Sequence, residues 1–134
     1  MKTQTIKPEL KNAIPFAETF SRLLYPFAEI VIHDLEEDRI EAIFNPISKR
    51  EVGDTSYLDQ WDFTTDPTET IIGPYEKTNS DGSHFKSISL ILRDDQENAV
   101  GFMCVNMDVS VFETYRKTLD LFLSNSDPKL TRNN

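Results

Sequence analysis

Apolar residues recur along this chain with two different periods. Between Pro8 and Pro26, Phe16, Ala17, Phe20, Leu23 and Leu24 fall at i, i+1, i+4, i+7 and i+8, the stripe of a helix seeking a core. Pro15 suits a first helical turn, and Tyr25, held out of the helical region by Pro26, predicts the stop. The period then drops to two. The β-branched run EIVIHDL, the acidic turn EED and the run RIEAIF read as a hairpin, closed by Asn45-Pro46.

Residues 46–74 lose that alternation and carry Gly53, Trp61, Pro67, Gly73 and Pro74, which predicts short helical turns and loops. One such helix is expected to be capped by Asp66, with Pro67 at its first position, Glu69 reaching back, and Gly73-Pro74 ending it. Strand patterning returns with YEKT, a turn at Asn79–Gly82, HFKSISLILR, the polar turn DDQEN, and AVGFMCVNMDV. Ser110 and Glu113 form a second capping box, opening a helix with Val111, Phe112, Tyr115, Leu119, Phe122 and Leu123 on one stripe. Strands segregated from helices and joined by hairpins predict one antiparallel α+β domain over residues 8–124, with tails at 1–7 and 125–134.

The last hairpin sorts its residues into two faces. With a turn over Asp94–Glu97, Arg93 pairs with Asn98, Ser89 with Phe102, Ser87 with Cys104 and Phe85 with Asn106. One face, Ile88, Leu90, Leu92, Met103, Val105 and Met107, is a core face for the terminal helices to cover. The other, Phe85, Ser87, Ser89, Phe102, Cys104, Asn106 and Asp108, mixes aromatics with small hydrogen-bonding groups, as ligand pockets do. Covered by 46–74 it would line a cavity, with Trp61 as a lid. The alternatives are that the two serines and Asn106 bond to loops crossing the sheet, and that Trp61 simply packs over it. Asp108 either meets a cationic ligand group or serves the N-terminus of the last helix.

Composition narrows the chemistry. The 134 residues hold 14 Lys and Arg against 23 Asp and Glu, a formal charge of -9, and the bases are scattered. Glu51 to Glu76 contains seven acids and no base, a solvated face. Contact with nucleic acid, which needs clustered cations, is therefore not expected. One cysteine, Cys104, makes no disulfide framework, and no apolar run nears the ~18 residues of a membrane span, so a cytoplasmic location is expected. His33-Asp34 is no catalytic pair, because adjacent strand residues face opposite ways. His33 is expected to be a hydrogen-bonded residue at a strand end. His33, His84, Cys104 and the carboxylates show no metal spacing, and Cys104 in GFMCVN lacks an activating base. Neither enzymatic catalysis nor a cofactor is expected.

The segments EIVIHDLEEDRIEAIF, KREVGD and GSHFKSISLILRDDQENAVGFMCVNMDVS resemble those of the YheO-like PAS domains, sensor domains found ahead of a helix-turn-helix in bacterial transcriptional regulators. The resemblance runs from about Phe16 to Phe112. It implies a five-stranded antiparallel sheet with short helices over one face and flanking N- and C-terminal helices. It also implies small-molecule sensing and dimerisation through those flanking helices. The matching positions are His33, Asp34, Lys86, Ser87, Ser89, Asn106 and Asp108. Asn45-Pro46-Ile47-Ser48 stands where the family usually carries a glycine-bearing turn. The DNA-binding domain does not follow the last strand, so the chain is either a piece of a longer regulator or a sensor acting through another protein. A flavin-type Asn-Cys-Arg run and a haem-ligating His within 46–74 are both missing. The expectation is thus a sensory domain binding a small polar ligand as a homodimer, apart from membrane and nucleic acid. A ligand-free dimerisation or interaction module is the alternative.

Overall fold

A computed structural model describes residues 5–56, 68–79, 81–124 and 129. The chain runs α1 (Pro8–Leu24), β1 (Ala28–Asp34), β2 (Arg39–Phe44), β3 (Ile71–Thr78), β4 (His84–Arg93), β5 (Ala99–Asp108) and α2 (Ser110–Ser124). The five strands form one antiparallel sheet in the order β2-β1-β5-β4-β3, the expected α+β architecture. The expected Trp61 lid and the Asp66–Pro67 helix start lie outside the described residues.

The helix α1 begins about two turns earlier than the apolar stripe suggests, with Pro8 in its first turn and Pro15 inside it. Pro15 and Lys11 are both exposed, so the carbonyl deprived of its amide donor is left to water. The buried side is Leu10, Ala13, Ala17 and Ser21, so of the expected stripe only Ala17 is buried, while Phe16, Phe20 and Leu23 are 65%, 42% and 75% exposed. Small residues win this face because they bring the helix close to the sheet. A Cβ on Gly101 would lie 2.7 Å from the His33 carbonyl oxygen and 2.7 Å from Leu10 Cδ1, so the missing side chain there is a condition of the packing. Beneath α1 sit Ile30, Ile32, Val100 and Met103, with Ala42, Phe44, Leu90, Leu92 and Val105 around them.

β3 is longer than its YEKT core. Gly73-Pro74, expected to end a helix, lies inside it, at a break in register between Ile72 and Tyr75. Gly73 sits at φ 113°, open to glycine, and an edge strand tolerates proline, so the strand bends and continues. The hairpin β4–β5 pairs Phe85 with Asp108, Ser87 with Asn106, Ser89 with Cys104 and Ile91 with Phe102, two residues away from the expected register. A bulge between Leu92 and Arg93, with Asp94 N–H donating to the Asn98 carbonyl, makes the loop longer than four residues. A shift of two preserves the faces, so both expected sets stand intact.

α2 buries no residue, so it does not help α1 cover the core face. Its attachment is at its start, where Phe112 meets Phe27 with ring centroids 4.9 Å apart. The capping box is also absent: Ser110 Oγ accepts from His84 N–H, and it is the Asp108 carboxylate that accepts from Ser110 N–H.

Candidate functional site

Residues paired across neighbouring strands point to the same side of a sheet, so the registers assemble the face opposite α1 into rows. The first row is Lys77, Phe85 and Asp108; the second is Tyr75, Ser87, Asn106 and Glu29. The third is Ile72, Ser89, Cys104, Val31 and Ile43, and the fourth runs Ile91, Phe102, His33 and Ile40. Polarity falls from the first row to the fourth. A cavity of about 640 Å³ lies over the polar end, lined among others by Glu29, Ser48, Arg50, Lys77, Asn106 and Asp108.

Seven of the eight residues expected at the site therefore share one face, and the eighth, Trp61, lies outside the described residues. Of the seven, Phe85, Asn106 and Asp108 reach this cavity. Ser87, Ser89, Phe102 and Cys104 are buried in the floor beside it. Among the described residues the serines do not bond to crossing loops. Ser87 Oγ donates to Asn106 Oδ1 at 2.7 Å, and Ser89 Oγ lies 3.1 Å from Cys104 Sγ and 3.0 Å from Tyr75 Oη. Asn106, only 2% exposed, spends its carbonyl on Ser87, and its Nδ2 donates to no side chain or carbonyl among the described residues.

Residues absent from the expected set complete the polar end. Glu29 is wholly buried, and three donors engage it: Ser48 N–H at 2.7 Å and Ser48 Oγ at 2.6 Å on Oε2, and Arg50 Nη2 at 3.0 Å on Oε1. Arg50 Nε donates onward to Ser48 Oγ at 3.0 Å, which ties the 46–56 loop to the sheet. Burial, then the Arg50 charge, pull the Lys77 amine below its ordinary value. Strand parity signals Glu29, since Glu29, Val31 and His33 alternate onto one face. Arg50 has no such signal, because it stands in a loop.

At the apolar end His33 stacks on Phe102, ring centroids 4.2 Å apart at 15°. Its Nδ1 lies 2.6 Å from Ser56 Oγ, and burial first, then Arg50 and Lys77, push its pKa down to about 3. Its neighbour Asp34 faces the other way and pairs with Lys7 Nζ at 2.7 Å, so no His-Asp couple forms. Burial raises the Cys104 thiol to about 11, which keeps it protonated and a poor nucleophile.

A hollow of about 330 Å³ on the α1 side is different in kind, lined by Phe20, Leu24, Ile71, Ile88, Leu90, Met103 and Val105. No helix among the described residues is long and apolar enough to cross a membrane.

The family model of the YheO-like PAS domain matches residues 4–124. The transcriptional regulator DauR of Pseudomonas aeruginosa is 44% identical over 119 residues, covering 89% of this chain and 56% of the regulator. The chain thus spans a little over half the length of that curated relative.

Proposed function

Since the chain belongs to the YheO-like PAS domain family and matches a transcriptional regulator, we propose that it is the sensory domain of such a regulator, or acts with one. It takes up a small polar molecule over the Phe85–Asp108 face and changes the geometry of its terminal helices. The observation that carries this reading is Asn106: a nearly fully buried amide whose Nδ2 has no described partner and which lines a cavity large enough for a small molecule. The Nδ2 is not among the fully buried unpartnered atoms, so it opens to the cavity as a donor the described residues leave unused, and a ligand oxygen would accept from it.

The route to the helices is short. Asp108 lines the cavity, its carboxylate accepts from Ser110 N–H at the start of α2, and its own amide donates to the Phe27 carbonyl just after α1. A ligand that prefers one position of Asp108 biases both helices by its differential affinity. The regulatory role involves no chemistry on the ligand, and the domain works in the cytoplasm without touching DNA itself.

The domain is a homodimer in this reading. Phe16, Leu23, Tyr115, Leu119 and Phe122 leave large apolar side chains uncovered on the two helices, which a second copy of the chain would cover. A dimerisation module without a ligand is the second reading, favoured by that same surface. Native mass spectrometry of the purified chain separates the two. A dimer with a discrete extra mass, lost in Ser87→Leu, supports the sensor; a dimer with no extra mass, whose thermal midpoint no metabolite mixture moves, supports the module.

A further inference from the structure

Helix α1 covers only part of the core face. Leu10, Ala13 and Ala17 pack on Ile30, Ile32, Val100 and Met103, while farther across the sheet Ile88 and Leu90 on β4 are half-buried and Ile71 on β3 is exposed. There lies the apolar hollow of about 330 Å³, with Phe20 and Leu24 of α1 as its other wall. Phe16 and Leu23 extend the exposed apolar surface along the same helix. On α2, Phe112, Tyr115, Leu119 and Phe122 recur three and four residues apart, the spacing of a seam that packs on another helix, and none of them is buried.

α2 does not turn back over the hollow of its own chain. One residue, Val109, joins it to β5, and no glycine or proline stands at the joint. Asp108 N–H donates to the Phe27 carbonyl, Val109 N–H to the His84 carbonyl, His84 N–H to Ser110 Oγ and Ser110 N–H to the Asp108 carboxylate, so the helix leaves the sheet in a fixed direction.

We infer that the stripe of α2 docks in trans, along the Phe16–Leu24 side of α1 and over the hollow of a second copy, which returns the contact with its own α2. This deepens the homodimer of the proposed function and rests on it. A seam of α2 against α2 would leave the hollow and the α1 aromatics open in both copies, whereas the exchange covers all of these surfaces about one twofold axis. The lengths agree: at about 1.5 Å per residue the α2 stripe from Phe112 to Phe122 runs about 15 Å, and the α1 stripe from Phe16 to Leu24 about 12 Å. The area agrees too. At about 200 Å² for a fully exposed aromatic side chain, Phe16, Phe20, Phe112, Tyr115 and Phe122 together expose about 600 Å², against the about 800 Å² that each partner gives to a stable interface. Leu23, Ile71, Leu119 and Leu123, all exposed, supply the remainder. Asp108, which lines the polar cavity, then starts the helix that the other copy holds.

The test is cross-linking of thiols by a short bis-maleimide in Phe20→Cys and Leu119→Cys, both at exposed positions. The native Cys104 is wholly buried and gives the silent background. The two single variants, co-expressed, should cross-link to dimer about tenfold faster than either alone, because only together do they set an α2 thiol beside an α1 thiol of another copy. Ile71→Cys with Tyr115→Cys is a second pair at the rim of the hollow, and it carries the test should a first variant fail to fold by circular dichroism. Leu119→Cys linking to itself as fast as the co-expressed pair puts α2 against α2 and overturns the exchange. A double variant, Phe20→Cys with Leu119→Cys, that closes its link within one chain returns α2 to its own hollow and also overturns it. A dimer by light scattering in which neither pair links overturns the docking and leaves the homodimer standing. A monomer overturns both, while the ligand mass in native mass spectrometry still decides the sensor reading separately.

Discussion

At the residue scale, two positions carry consequences that composition does not show. Gly101 has no room for a methyl: the His33 carbonyl is backbone and cannot swing aside, so Gly101→Ala should lift α1 from the sheet. A loss of about 1–3 kcal/mol is expected, measured by urea denaturation. His33 is buried and neutral, with its pKa near 3 against an ordinary 6.5. The unfolded chain binds a proton there between those values and the folded chain does not, so stability is full above about pH 6.5 and falls as pH drops below it. The slope approaches about 1.4 kcal/mol per pH unit and levels off near pH 3, below the folded value. Denaturation midpoints between pH 7 and pH 4 should show it, and His33→Gln should flatten it; Asp34, also lowered, adds acid sensitivity only further down. Glu29, Ser48 and Arg50 belong to this scale as well, because their three bonds tie the irregular loop to β1, beside the backbone bonds of Gly53 and Asp54 to Ile40 on β2.

At the element scale, alternation made the strands and their two faces readable, since side chains of β4 and β5 can only point up or down. The loop of that hairpin was misjudged by two residues on the partner strand, and the faces survived because the strand period is two. The helices were less legible. The apolar pattern predicts that α1 buries Phe16, Ala17, Phe20, Leu23 and Leu24, yet only Ala17 of these is buried, together with Leu10, Ala13 and Ser21, while Phe16 and Phe20 are exposed. Hydrophobicity ranks side chains by size, while close packing on a sheet selects small ones. The start of α2 depends on Asp108 rather than on Ser110, so Asp108→Ala should fray the first turn at a cost of about 0.5–2 kcal/mol, seen as lost helical circular dichroism. Ser110→Ala should cost less helix, because its hydroxyl serves His84.

At the scale of the whole molecule, the sheet separates two surfaces of different chemistry, a polar cavity on one side and apolar helix surface on the other. Tyr115, Leu119 and Phe122 on α2 are 61%, 59% and 80% exposed, so Leu119→Glu with Phe122→Glu should leave monomer stability within about 0.5 kcal/mol. The same pair should convert the proposed homodimer to monomer by light scattering; a dimer that survives them removes α2 from the interface. Conversely Ser87→Leu, deep in the opposite face, should abolish ligand retention and leave the dimer mass unchanged. Both outcomes follow from β5 being shared: its Met103 and Val105 serve α1 while its Cys104 and Asn106 serve the cavity floor.

The sequence by itself determined the element order, the two faces of β4 and β5, the buried serines with Asn106, and a resemblance that the family match bears out. Those are local quantities, readable from period and residue type along one strand. Only the tertiary structure decided that Glu29, Arg50 and Lys77 meet at one end of the cavity, and which helix stripe faces the sheet. Glu29 and Lys77 lie on strands separated by two others, and Arg50 on a loop with no period, so their meeting depends on strand order and loop path, and no spacing along the chain encodes either.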